Sequence, residues 1–197
     1  MAPWVIAITG ASGAIYAFKT IRALLAAGEK VCLIISEPGA RVLREELGWS
    51  LKGGVEEFAL EIKEKLGCPE EDDSLLCFDC NDIGCCLASG SFLTKGMLIV
   101  PCSMATLAGI AAGTSRNLIE RAADVTIKER RPLVLVPRET PLNSIHLKNM
   151  LALAEIGVHI VPPMPAFYFG PRSIDDLVDY FVSRVLNLVG VKIDPSI

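Results

Sequence analysis

The chain has 197 residues, 51% of them hydrophobic, with a net charge of -4 and a pI near 5.3. That apolar content supports a packed core and excludes overall disorder. The acidic balance excludes a broad electrostatic footprint for nucleic acid, and MAPWVIAITG has no basic leader, so no secretory signal is expected.

In chain order, WVIAI (Trp4 to Ile8) reads as a buried strand and Ile15 to Ala27 as a helix ending near Gly28. KVCLIIS is a second strand. Arg41 to Leu47 is helical with a glycine stop at Gly48, and Glu56 to Leu66 is a helix with a charged outer face. Gly67 to Asp82, with Pro69 and EEDD, reads as an irregular surface connection. GMLIVP is a strand, followed by a helix near Ser103 and another from Asn117 to Lys128. PLVLVP is the most apolar strand. Thr140-Pro141 reads as an N-cap with proline at the first helical position, opening a helix from Leu142 to Gly157. GVHIVPP is the last strand. Ser173 caps the closing helix, Ile174 to Val189, with Asp175 and Asp176 in its first turn.

This alternation predicts one α/β domain over residues 1–197: a Rossmann-like, three-layer fold with a mostly parallel sheet and helices on both faces. Ligands of such sheets bind beyond the C-terminal strand ends. Gly10 to Gly13, Ser36, Pro101 to Thr106 and Pro137 to Pro141 all follow strands, so they should converge on one edge.

Gly10-Ala11-Ser12-Gly13 departs from the dinucleotide fingerprint, because its second glycine comes one residue late and Ser36 ends the second strand where an acidic residue belongs. It suits a mononucleotide phosphate at a helix start, or a tight turn alone. PCSMAT offers the Ser103 and Thr106 hydroxyls at a second helix start, as a site or as a simple cap. Arg138-Glu139 follows an apolar strand and suits acid–base work on a phosphorylated substrate, or forms a surface ion pair. PPMPAFYFGPRS is a stiff aromatic loop that could wall a pocket or an oligomer contact.

The seven cysteines are at 32, 68, 77, 80, 85, 86 and 102. An odd count with no secretory signal speaks against a disulfide framework. The spacing after Cys80 is poor for zinc or iron–sulfur, so no metal is expected. Gly96 to Ser115 is uncharged, but Pro101 splits it into strand and helix, so no membrane span is expected.

Taken in order, GASGAIYA, ASGSF, PCSMATLAGIAAG, RAADVTIKERRPLVLVPRETPL, HLKNMLALAEIG, PPMPAFY and IDDLVDYFVSRVL resemble the UbiX-type flavin prenyltransferases, including small subunits of aromatic-acid decarboxylase systems. The resemblance covers nearly the whole chain and is weakest from Leu51 to Leu87. It implies a cytoplasmic, FMN-binding enzyme, usually a dodecamer with active sites shared between subunits. The enzyme would transfer a dimethylallyl group from dimethylallyl phosphate to N5 and C6 of reduced FMN, for use by a UbiD-type decarboxylase. By motif position it assigns FMN contacts to Gly10, Ala11, Ser12, Ser36, Ser103, Met104, Ala105, Thr106 and Arg121. The prenyl-phosphate site falls to Lys128, Arg138, Glu139, Tyr168 and Arg184, with Glu46 nearby and Glu139 as the catalytic glutamate.

The chain departs from the family at three points. Ala105 stands where many relatives have lysine, Glu37 and Pro38 follow Ser36, and the tail to Ile197 lacks an aromatic residue. Two other readings compete: an FMN-dependent cysteine decarboxylase, though His146 and His159 both fall in regular elements, and a non-catalytic subunit that binds or delivers FMN.

Overall fold

The computed structural model describes residues 1–49, 53, 55–69 and 71–193. Its elements are β1 (Trp4–Ile8), α1 (Ala14–Ala26), β2 (Val31–Ile35), α2 (Glu37–Leu47), α3 (Val55–Leu66) and β3 (Leu75–Asp79). They continue with β4 (Gly96–Cys102), α4 (Met104–Ala111), α5 (Leu118–Lys128), β5 (Leu133–Pro137), α6 (Ser144–Glu155), β6 (His159–Ile160) and α7 (Ile174–Leu188).

The strands form one sheet in the order β3-β2-β1-β4-β5-β6, and every neighbouring pair is parallel. Residues of β1, β2, β4 and β5 are buried throughout, as continuous apolar runs covered on both faces require. Alternate side chains serve opposite layers. Ile6, Leu33, Leu98 and Val134 pack with α1, α2, α3 and α7, for example on Leu24, Leu43, Ile62 and Val182. Val5, Ile34, Ile99 and Leu135 pack with α4, α5 and α6, on Leu107, Ile119 and Leu153. The expected three-layer architecture is thus present.

Four expectations need correction. The stretch Gly67 to Asp82 is not wholly irregular, because Leu75–Asp79 pairs along β2. Only Leu75 is fully buried on this edge strand, so LLCFD lacks the dense apolar signal of a central strand. Helix α2 starts four residues before Arg41, capped by Ser36, whose hydroxyl accepts the Gly39 N–H. Thr140 does not cap α6: Asn143 does, accepting the Ile145 and His146 N–H groups, with the His146 ring completing the capping box. The expected strand GVHIVPP shrinks to His159–Ile160, since Pro162 and Pro163 have no N–H to extend a ladder.

The closing helix matches its expectation, with Ser173 accepting the Asp176 N–H. Gly96–Cys102 and Met104–Ala111 divide the uncharged segment into strand and short helix, and no helix among the described residues is long and apolar enough to cross a membrane. The tail beyond 193 lies outside the described residues.

Candidate functional site

Because all the strands are parallel, β1, β2, β4 and β5 end on one edge of the sheet. Thr9, fully buried just after β1, ties that edge together. Its hydroxyl donates to the Pro101 carbonyl (2.9 Å) and accepts the Ser103 N–H (2.8 Å), and its own N–H donates to Pro101 (3.2 Å). Ser36 is fixed to the same strand end. Its N–H donates to the Ile8 carbonyl (3.0 Å) and its hydroxyl accepts from Gly39 (3.1 Å). A side chain at Gly39 would begin 2.4 Å from the Ile8 carbonyl oxygen, so only glycine lets α2 approach β1 this closely. On the other side, the Arg138 N–H reaches the Cys102 carbonyl (3.4 Å).

Besides α2, two more helix starts face this edge. Gly13 opens α1 with φ 120°, a conformation suited to glycine. Glu46, reaching over from α2, places its carboxylate on the Gly13 and Ala14 N–H groups (3.0 and 2.8 Å). An anion at a helix start is favoured by the free N–H groups and the helix dipole. At α4, the Ser103 hydroxyl accepts the Thr106 N–H (3.3 Å) and lies 3.1 Å from the Thr106 hydroxyl. Ser12 and Ala105 are exposed, and Ser103, Met104 and Thr106 are half-buried beside them. The donor set fits a phosphate-bearing flavin: three hydroxyls (Ser36, Ser103, Thr106) and the α4 start, the α1 start being taken by Glu46, with Ala105 removing a side chain but no backbone donor.

Arg138 and Glu139 lie exposed on the next loop, where the Glu139 carboxylate accepts the Thr140 N–H (3.0 Å). Cys102 beside them is fully buried, and burial pushes its thiol well above the usual range, which leaves it unreactive.

The aromatic loop folds onto α7. Tyr168 is 82% exposed and meets Tyr180 through both hydroxyls and an edge-on ring contact (centroids 5.9 Å, 89°). Phe169 stacks on the same Tyr180 ring at 4.3 Å. Arg184, one helical turn beyond Tyr180, is near enough to favour ionisation of its phenol, although the Tyr168 hydrogen bond dominates and raises that pKa.

Two assigned residues do not join this edge within one chain. Helix α5 runs back along the sheet, so Lys128 lies where strands begin. It pairs with Glu129, and a side chain at Gly90 would run into both heads. Arg131, just beyond, donates to the Gly90 and Phe92 carbonyls (2.8 and 2.9 Å) in the loop that enters β4. Arg121, midway along α5, donates to the Ala88 carbonyl (3.1 Å) and pairs with Asp124 (2.7 Å).

Sequence reasoning missed Thr9 and Tyr180. The signal for Thr9 was a lone hydroxyl at the end of an apolar strand, just before the glycine turn. Tyr180 stands four residues before Arg184, hence on the same helix face. As for the cysteines, no group of three metal-ligating side chains gathers as a metal site among the described residues.

The flavoprotein family model matches residues 1–186. A flavin prenyltransferase UbiX from Synechocystis is 44% identical, over 98% of this chain and 93% of the relative. Another, from Halalkalibacterium halodurans, is 46% identical over 96% and 89%. Among solved structures, a dodecameric FMN-dependent UbiX-like decarboxylase from Escherichia coli superposes with a TM-score of 0.85 at 40% identity, covering 97% of this chain and 95% of that one. AnUbiX, solved with FMN and dimethylallyl pyrophosphate, gives 0.84 at 38% identity, covering 99% and 94%. A peptidyl-cysteine decarboxylase at 17% identity shares the fold (TM-score 0.62). With identity above 40% over nearly its full length to flavin prenyltransferases, and with the family model matching residues 1–186, the chain belongs to the flavoprotein family and, within it, to the UbiX-type flavin prenyltransferases.

Proposed function

We propose that this protein is a flavin prenyltransferase that moves a dimethylallyl group from dimethylallyl phosphate to N5 and C6 of reduced FMN, making prenylated FMN for a UbiD-type decarboxylase. The observation that carries the reading is the meeting, on one sheet edge, of the Gly13 and Ser103 helix starts with Arg138 and Glu139, in a chain so similar to flavin prenyltransferases. Cysteine decarboxylases share the fold at below 20% identity, and that likeness carries no activity.

Reduced FMN supplies the two nucleophilic ring positions. Gly10, Ala11, Ser12, Ser36, Ser103, Met104, Ala105 and Thr106 hold it through hydroxyl and backbone donors, and Arg121 completes the set. Arg138 and Arg184 bind the donor phosphate and stabilise it as it leaves. Tyr168 donates a hydrogen bond to it, while Phe167 and Phe169 keep water from the allylic cation. Glu139 protonates the phosphate oxygen as the C–O bond breaks and N5 is alkylated; Glu139 or the released phosphate then gives a proton to the allyl double bond so that C6 can add to it, and takes up the proton displaced at C6. Glu46 orders the α1 start beside them. Lys128 reaches this phosphate from a neighbouring subunit, since its own chain places it at the far edge.

The assembly in this reading is a homododecamer. It is supported by the exposed Ile145, Leu147, Leu151 and Phe167 and by the dodecameric relative. Residues 1–197 act as one flavin-binding domain, with no metal, membrane or nucleic-acid partner. A cytoplasmic location is supported by seven free thiols, which suit a reducing compartment.

The test is incubation of the purified protein with reduced FMN and dimethylallyl phosphate, followed by mass analysis of the flavin. A flavin heavier by one dimethylallyl group is expected. Unmodified flavin with intact donor would overturn the reading.

A further inference from the structure

We infer that Tyr180 is a positioning residue for donor binding, acting through Tyr168. The inference rests on the prenyl-transfer reading above, in which Tyr168 meets the donor phosphate. Tyr168 is 82% exposed, and its ring contacts are with Phe169 and Tyr180 alone among the described residues. Little else fixes where its hydroxyl points. Tyr180 supplies two restraints at once: its ring carries the stacked Phe169, and its hydroxyl bonds that of Tyr168.

The direction of that bond matters. Either hydroxyl could donate. In the reading above, Tyr168 faces a phosphate oxygen, an acceptor, so it spends its own hydrogen on the donor. The hydrogen between the two oxygens then comes from Tyr180, which donates to the Tyr168 oxygen. The Tyr168 hydrogen is then directed outward, to an anionic oxygen beyond the pair. A bonded oxygen also makes its own O–H a stronger donor, as in any hydrogen-bonded chain. Arg184 and Tyr180 lie on one face of α7, so phosphate, Arg184 and the tyrosine pair form a single recognition unit.

The experiment uses the full chain loaded with oxidised FMN, which binds donor without turnover. Calorimetry gives the Kd for dimethylallyl phosphate in wild type, Tyr180→Phe, Tyr168→Phe, the double variant and Tyr180→Leu. Tyr180→Phe keeps the stack and loses only the hydroxyl. It should weaken donor binding about 3- to 10-fold, the factor set by one net hydrogen bond, with FMN affinity unchanged. The double variant should be no weaker than Tyr168→Phe alone, because the effect travels through Tyr168. Tyr180→Leu should be weaker than Tyr180→Phe. A wild-type Kd in Tyr180→Phe, or losses that simply multiply in the double variant, would overturn the inference. Donor binding in wild type without prenyl transfer would remove the proposed activity and leave this inference standing. A wild type that binds no donor would overturn both.

Discussion

Replacing Thr9 by valine tests whether one buried hydroxyl organises the whole ligand edge. The two side chains are nearly isosteric, so no cavity opens. What changes is bonding: the Ser103 N–H loses its acceptor at 2.8 Å, and Pro101 loses one of its two donors. Pro101 keeps the Thr9 N–H, so its loss is small. An orphaned donor at this site costs about 1–3 kcal/mol. For a chain of this length, each kcal/mol moves Tm by roughly 2–4 °C. Thr9→Val should therefore lower Tm by about 2–12 °C in FMN-free protein at fixed concentration, and should weaken FMN several-fold by loosening the α4 start. Thr9→Ser keeps both bonds, and its loss should stay near 1 kcal/mol, the scale of one methyl group. Scanning calorimetry and FMN fluorescence titration read both effects. Equal behaviour of the valine and serine variants would refute the reasoning, because it would make the methyl group, not the hydroxyl, the part that matters.

Glu139→Gln should keep the fold and bound FMN but slow single-turnover transfer by about 10²–10⁴, the range for a positioned acid or base; wild-type rates would leave the phosphate as sole proton carrier. Lys128→Ala and Arg138→Ala should each be inactive alone, yet regain activity when co-assembled, since some sites then draw both intact residues from different chains. No recovery in verified mixed assemblies would place both in one chain's site. Iodoacetamide at pH 7–8 should label exposed Cys86 first and spare Cys32 and Cys77, because burial pushes both thiols up to about 12 and keeps them protonated there; peptide mass mapping with the opposite order would contradict it.

The central strands were legible because a parallel sheet covered on both faces demands unbroken apolar runs such as WVIAI and PLVLVP. The same logic hid β3, whose edge position lets Leu76 stay exposed within LLCFD. Helix caps were read correctly where serine preceded a clear run, at Ser103 and Ser173, while Asn117, read as the first helical residue, is the cap of α5. Thr140-Pro141 misled because Asn143, two residues after the proline, offers the side chain that caps the helix. For the site, strand order alone placed the glycine turn, Ser36, Ser103 and Arg138 together. A crossover helix returns to the start of the next parallel strand, and that direction of α5 is what carries Lys128 to the far edge. Thr9 and Tyr180 act through pairings that local sequence does not encode.

The three helices that start at the ligand edge each bring an acceptor from the chain itself: Glu46 for α1, Ser36 for α2 and Ser103 for α4. The edge is therefore finished before any flavin arrives. That suits a flavin which is not a permanent tenant but raw material, taken in plain and handed on with a fourth ring. If the helix starts relied on its phosphate for their bonds, every turnover would end with frayed ends and a protein reluctant to let go. With its own side chains standing in, the protein can empty its site and remain whole, ready for the next flavin.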